Sequence, residues 1–390
     1  MTSFESHSEV LRLTRDLISI ESHIDAPGRE AAIGKFLMSW FSDHEIEAEL
    51  QTVDGERANV VARIPGGHGP SLMLNGHIDT VPAGDMAEPF MPHIRDGVLW
   101  GRGACDMKGA VAAMVCAMAA ISSSSKRTAG QLCGDLVFAG TVGEETGSIG
   151  VKSLVEAGVK ATYAVVGEPT SMRVGIAHKG ACFIRIFLTG KGAHGSCPDE
   201  GVNAVSYASQ IIRALETELR VKLAERAHPL LGTSTVSVGR ICGGSQPNIV
   251  AEQCQIDIDR RTLPGEDDAL SEIRQVVADI CDPIAGLTWS VEEMPETSVV
   301  PHVALGTAKD AYLSKIAQEA CRKLGLPHEP VGVTYWTDGG HLAACGVETI
   351  ILGPGDIAHA HGPNDRVETS ELVKAVEMYQ ELIQRVLLPA

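Results

Sequence analysis

Aromatic residues make up only 4% of this 390-residue chain, too few for a surface on which bases or sugars stack. Positive charge is scarce as well: 32 Lys and Arg stand against 50 Asp and Glu, a formal net charge of −18. Binding a phosphate backbone needs clustered cations, so nucleic acid is excluded as a default partner. The ten cysteines, at 105, 116, 133, 182, 197, 242, 254, 281, 321 and 345, form no Cys-x-x-Cys pair. A disulfide-stapled secreted scaffold is far denser in cysteine, so these are expected to be reduced thiols of a cytoplasmic protein. The opening MTSFESHSEV has no cationic stretch and no apolar stretch, so no secretory signal is expected. The longest apolar helix candidate, Gly109 to Ile121, falls short of the roughly 20 residues that span a bilayer, so no membrane partner is expected. No GxxxxGK[ST], HExxH or GxSxG sequence occurs, which removes phosphate-loop, zincin and serine-hydrolase chemistry. Gly190 to Gly195 does fit GxGxxG, but Pro198 interrupts the helix that a dinucleotide site would need next.

What is present is ample core material. The apolar fraction is 44% and the charged fraction 21%, and the length exceeds what one compact core usually takes, so two domains are expected. Helical spacing covers Val10–Ile20 and Glu30–Phe41, and short apolar runs closed by Gly and Pro mark strands at Asn59–Ile64 and Ser71–Asn75. A helix is expected from Met107 to about Ser123, followed by the polar patch SSSSKRTAG. Strands at Leu136–Thr141 and Tyr163–Val166 then alternate with a helix near Ser148–Ala157, the grammar of an α/β sheet with crossovers. After Lys179 the order becomes β-α-β-β-α-β: strands at Ala181–Leu188, Ser234–Ile241, Gln253–Arg261 and Leu287–Val291, helices at Val202–Leu223 and Asp267–Cys281. That is the split-βαβ, ferredoxin-like pattern, about 110 residues long. The α/β grammar resumes with helix Thr307–Leu324, strand Glu348–Leu352 and helix Thr369–Leu387. The expected domains are therefore 1–180 and 294–390 around an insert at 181–293.

Several motifs carry candidate chemistry. In LMLNGHIDTVP, His77 and Asp79 stand two apart at a strand end, so a carboxylate can accept the second N–H of an imidazole and fix its tautomer. A loop His beside a turn Asp fits the same residues. Asp106 in GRGACDMKGAVAAMV stands just ahead of a helix, where capping is its commonest role, although a cap occupies one oxygen only. Glu144 and Glu145 in TVGEETGSIG follow an apolar strand, where α/β folds place ligand sites; adjacent carboxylates are otherwise simply solvated. Glu168 in AVVGEPTS closes another strand, or sits on a surface turn. His359 and His361 share the loop GPGDIAHAHGPND, in a chain with 14 histidines. Together, four strand ends deliver carboxylates or imidazoles without cysteine, a donor set that suits Zn or Mn. Glu and Asp with only two His ligands point to two cations sharing a bridging carboxylate, the arrangement that activates a shared water.

GHIDTVP, GRGACDMKG, GEETGSIG, GEPTS, KGAHGS and HAHGPND, in order from about Val10 to Leu387, resemble the di-zinc metallopeptidase family of acetylornithine deacetylase, succinyl-diaminopimelate desuccinylase, carboxypeptidase G and the aminoacylases. The resemblance implies a three-layer zinc-peptidase catalytic domain with an inserted lid or dimerisation domain, hence a homodimer. It implies one metal held by His77 and Glu168, a second by Glu145 and His361, and Asp106 bridging them. Asp79 would orient His77, Glu144 would be the general base, and His359 would be a neighbour only. A cis peptide would join Asp106 and Met107. His194 in GKGAHGS would cross the dimer to the oxyanion, while Asn248 in QPNIV and Arg261 in DRRTLPGE would bind the substrate carboxylate. Arg260, by the period of two, should face the other side of its strand.

The implied reaction is hydrolysis of the amide of an N-acyl amino acid, with two divalent ions, Zn or else Co or Mn, as cofactors. GEPTSMRVGIAHKG resembles the acetylornithine deacetylase branch, and N-acetylornithine is the first expectation for the substrate. The motif YWTDGGHLAACGV departs from both named enzymes and is expected to line the acyl or side-chain pocket. Desuccinylation of diaminopimelate, general aminoacylase or dipeptidase action, and a non-catalytic amino-acid-binding protein on the same fold are the alternatives. A two-metal phosphoesterase would want more Lys or Arg than these motifs offer.

Overall fold

The computed structural model describes residues 3–125, 132–294 and 302–388. Residues 126–130 of the SSSSKRTAG patch lie outside them. The chain divides into two compact units, one built from 1–177, 305–333 and 337–390, the other from 178–304 and 334–336.

The first unit is organised by a nine-stranded mixed sheet. Its centre consists of four neighbouring strands, Leu136–Thr141, Leu72–His77, Tyr163–Val166 and Glu348–Ile351, all parallel. Their sequences read as unbroken apolar runs because both sheet faces are covered. Alternation decides which face each side chain serves. Leu72, Leu74, Leu136 and Phe138 join the core under helices Ala31–Asp43, Gly109–Ser125, Tyr312–Lys323 and Thr369–Leu387. Met73, Val137 and Ala139 point the other way, toward Leu154 of helix Ile149–Glu156 and Leu342 of helix Gly339–Ala344. Helix, sheet, helix is the expected three-layer architecture.

Some elements escape the sequence pattern. The outer strand Glu47–Asp54 alternates exposed and half-buried positions, and Gly175–His178, Leu305–Gly306 and Val331–Val333 are two to four residues long. Thr307 lies before its helix, which begins only at Tyr312, because its N–H is spent on the Ile176 carbonyl at 2.8 Å. The helical segment Ala104–Ser123 is long and apolar enough to cross a membrane, longer than the apolar run alone indicates, yet it is almost wholly buried in the protein.

The second unit has a four-stranded antiparallel sheet ordered Thr235–Gly243, Gln253–Thr262, Gly180–Thr189, Thr288–Glu293, the expected ferredoxin-like arrangement. Ile184, Ile186, Leu188, Ile256 and Ile258 pack one face against helices Ala204–Ala214 and Ala269–Cys281. Phe183, Arg185, Asp257, Asp259 and Arg261 alternate with them on the opposite face.

Candidate metal centre

The four central strands end side by side, and each end leads into a segment that carries a candidate ligand. His77 is the last residue of Leu72–His77, paired in register with Thr141, and is buried. Its strand ends there, so Asp79 lies beyond the sheet and the period of two does not place it. The ring Nδ1 lies 3.0 Å from the Asp79 backbone carbonyl and 3.5 Å from its Oδ1. The Asp79 carboxylate also anchors a neighbouring turn, where Oδ1 accepts the Glu144 N–H at 3.2 Å and Oδ2 the Glu145 N–H at 3.1 Å. That holds the Gly-rich turn after Leu136–Thr141, where Gly143 takes φ +70, conformationally cheap only for glycine. Both glutamates are thereby presented together despite their repulsion.

Asp106 is no helix cap. Its φ/ψ of −126/97 is not helical and the helix starts three residues later, at Gly109. The Asp106–Met107 peptide is cis. One oxygen, Oδ1, lies 2.9 Å from His77 Nε2, and the other, Oδ2, lies 3.1 Å from His361 Nε2. Glu168 follows strand Tyr163–Val166 and Gly167, with Oε1 3.7 Å from His77 Nε2. Glu145 Oε2 lies 3.2 Å from His361 Nε2.

Two groups of ligand atoms result, each within 4.8 Å: His77, Asp106 and Glu168, and Asp106, Glu145 and His361. Asp106 belongs to both. His359, half-buried on the turn Ile357–His359, belongs to neither, nor does the buried Glu144. The donor set fits divalent cations. Among the described residues no Lys or Arg pairs with these three carboxylates, and Glu145 Oε1 is buried with no hydrogen-bond donor. Buried anionic oxygens without cations are costly, and metal ions are what usually compensates them.

Proton affinities tell the same story. Burial pushes the Glu144 and Glu168 carboxyls well above the ordinary range, helped by the Glu168 charge at Glu144, by the Asp106 charge at Glu168, and by Glu145 and Asp338 at both. Burial works against a charged His77, but the Glu168 charge and the Asp106 and Asp79 hydrogen bonds raise it well above the usual value. His361 is pushed up to about 10 by its hydrogen bonds to Asp106 and Glu145. Asp106 is buried, which favours its neutral form, yet the two imidazoles hold it below the usual carboxylate range.

Two supporting residues lie inside motifs already quoted but are not among the candidate site residues. Asp365, inside the quoted HGPND, accepts the Gly103 N–H at 2.7 Å, the Cys105 N–H at 2.9 Å and Arg102 Nη1 at 3.1 Å. It therefore shapes the turn that carries Asp106. Asp338 accepts the Thr141 hydroxyl at 2.6 Å, next to His77 in the sheet. Only folding brings 102 to 365 and 141 to 338.

The remaining three candidates lie in the second unit. His194 is exposed, with Nδ1 2.7 Å from Ser196 Oγ. Asn248 is exposed, and its carbonyl accepts the Gly195 N–H at 2.8 Å. Arg261 is half-buried and paired with Asp259. Arg260 does face the other way: it is buried, pairing with Glu266 at 3.3 Å and Glu272 at 2.9 Å.

Comparison with known proteins adds four findings. Residues 73–385 match the family described as Peptidase family M20/M25/M40. An acetylornithine deacetylase of Myxococcus xanthus is 32% identical over 329 residues, 82% of this chain and 81% of that protein. Of solved structures, an aminopeptidase PepT from Bacillus cereus is similar with a TM-score of 0.80 at 23% identity, covering 97% of this chain and 98% of that one. The Bacillus subtilis YXEP protein, a dinuclear metal-binding peptidase, has a TM-score of 0.74 at 19% identity, covering 98% and 99%.

Proposed function

This chain belongs to peptidase family M20/M25/M40 and is a metal-dependent hydrolase, and from that premise we propose that it cleaves the amide bond of N-acyl amino acids, with N-acetylornithine the first candidate. One observation carries the proposal: Asp106 offers one oxygen to each of two ligand groups, while the buried Glu144 stands outside both. His77 and Glu168 would hold one ion, Glu145 and His361 the other, and Asp106 both. Zinc is the proposed metal, with cobalt or manganese as substitutes, since the donors are N and O only. Such ions supply Lewis acidity toward the scissile carbonyl and acidify a water molecule to near neutrality.

The protein's own groups do the rest. Glu144 accepts the proton of the attacking water and returns it to the leaving amine nitrogen. Burial and neighbouring carboxylates raise its proton affinity, the direction a general base needs. Asp79 holds the Glu144–Glu145 turn through two N–H acceptances and orients His77. His194, in the inserted lid of a second copy of the chain, is the proposed donor to the oxyanion, with Asn248 and Arg261 binding the substrate carboxylate.

Metal-loaded protein assayed on N-acetylornithine, N-succinyl-diaminopimelate and a panel of N-acyl amino acids tests the reading. Cleavage of at least one is expected; two bound ions without any cleavage would make the chain a binding protein instead. Glu144→Ala should keep its metal and lose about 100- to 10,000-fold in kcat, the range of general base removal. Mixing Glu144→Ala with His194→Ala subunits should restore part of the activity if the site is shared by a dimer.

A further inference from the structure

The YWTDGG motif supplies part of the second unit. Thr334–Trp336 group with it, and the Trp336 ring stacks on His302 with centroids 4.2 Å apart and meets Phe183 edge-on at 6.3 Å. The Arg261 guanidinium carbon lies 4.9 Å over Trp336 and 5.8 Å over Phe183. Asp259, two residues earlier on the same strand face, takes Arg261 Nε at 2.8 Å and Nη2 at 3.0 Å. A guanidinium carries five N–H donors in one rigid plane. The side-on pair with Asp259 uses Nε–H and one hydrogen of Nη2. The end-on edge, Nη1 with the other Nη2 hydrogen, has no hydrogen-bond partner among the described residues. Arg260 next door is the contrast: it is buried and spent on Glu266 and Glu272, whereas the Arg261 side chain keeps 26% of its surface exposed.

We propose that Asp259 and Trp336 are positioning residues for substrate recognition: Asp259 aims the free end-on edge of Arg261, Trp336 fixes its plane, and that edge receives one planar carboxylate. The inference rests on the reading that Arg261 binds the carboxylate of the substrate. Two parallel N–H donors match the two oxygens of a carboxylate, and a guanidinium held in advance loses less freedom on binding. Because Asp259 offsets the Arg261 charge, selection works through shape, favouring a planar monoanion over a tetrahedral dianion. Trp336 therefore acts through Arg261 and does not itself form the acyl pocket.

The test uses the full metal-loaded chain carrying Glu144→Ala, so that nothing turns over. Calorimetry measures the Kd of the N-acyl amino acid that the wild type cleaves fastest, of its α-carboxamide and of its phosphonate analogue. Arg261→Gln should weaken the acid by about 100-fold and leave the carboxamide unmoved. Asp259→Ala and Trp336→Leu should each weaken the acid by about 10-fold, again sparing the carboxamide, and Trp336→Phe should recover most of the loss. Combining Asp259→Ala with Arg261→Gln should cost no more than Arg261→Gln alone. With Glu144 intact, the same variants should raise KM and leave kcat within about 2-fold. Equal losses on acid and carboxamide, additive losses in the double variant, or tighter binding of the phosphonate than of the acid would overturn the proposal. Full affinity for the acid in Arg261→Gln would instead sink the reading of Arg261 on which it rests, and a wild type that cleaves no member of the panel would sink the function itself.

Discussion

Asp106 is where two imidazoles from distant parts of the chain meet, one on each carboxylate oxygen. Removing it takes a ligand from both groups at once, whereas removing Glu168 or Glu145 takes a ligand from one. Asp106→Ala is thus expected to drop bound metal from about two ions per chain to fewer than one, and Glu168→Ala only to about one, read by elemental analysis after gel filtration. Asp365 is a structural counterpart. It is buried with Arg102 and ties the Gly103 and Cys105 amides, so Asp365→Ala leaves a buried guanidinium without its carboxylate. Breaking a buried pair from one side costs about 3–5 kcal/mol, and thermal unfolding should show it. Metal affinity should fall as well, since the Asp106 turn loses its anchor.

At the scale of elements, the centre depends on four parallel strands ending within two residues of one another in register. Gly353, just past Glu348–Ile351, has no room for a side chain: a Cβ there would collide with the carbonyl oxygens of Gly167 and Glu168. Gly353→Ala is expected to destabilise the fold by about 1–3 kcal/mol and to loosen metal binding through Glu168. The sheet of the second unit carries a separate electrostatic device. Arg185 reaches Asp257 across neighbouring strands at 2.8 Å, and this hydrogen bond holds the Asp257 carboxyl below its ordinary value of 3.8. A carboxylate with a depressed folded pKa adds stability above its unfolded pKa and loses it as pH falls through the folded value. Asp257→Asn should therefore cost about 1 kcal/mol at pH 7, and the gap to wild type should close on titration toward pH 2.

For the whole molecule, the insertion has a geometric basis. The chain leaves the first unit along Gly175–His178 and returns along Leu305–Gly306, neighbouring strands of one sheet, with Thr307 N–H on the Ile176 carbonyl. A few residues can span that gap, and all five candidate ligand residues belong to the first unit. A variant with a short Gly linker from Ala177 to Leu305 is expected to unfold cooperatively and to bind two metal ions, without turnover. Circular dichroism with elemental analysis checks it; a chain that loses both ions would show that the first unit needs the second to form its ligand groups.

By itself the sequence determined the layered α/β architecture and the β-α-β-β-α-β insert, and it singled out candidate polar residues around the central strand ends. These are local signals, periodicity and breaks in periodicity, that neighbours in the chain carry. The strand Glu47–Asp54 escaped because a half-exposed edge imposes no apolar pattern, and the two- and three-residue strands because they are too short to have a period. Only the tertiary structure decided that Asp79 spends its carboxylate on the glutamate turn, and which oxygen of Asp106 faces which imidazole. It also decided that Trp336 lies against Arg261. Hydrogen bonds and ion pairs join atoms about 3 Å apart whatever their separation in sequence, so their partners are chosen by the packing of the sheet, which no stretch of chain encodes alone.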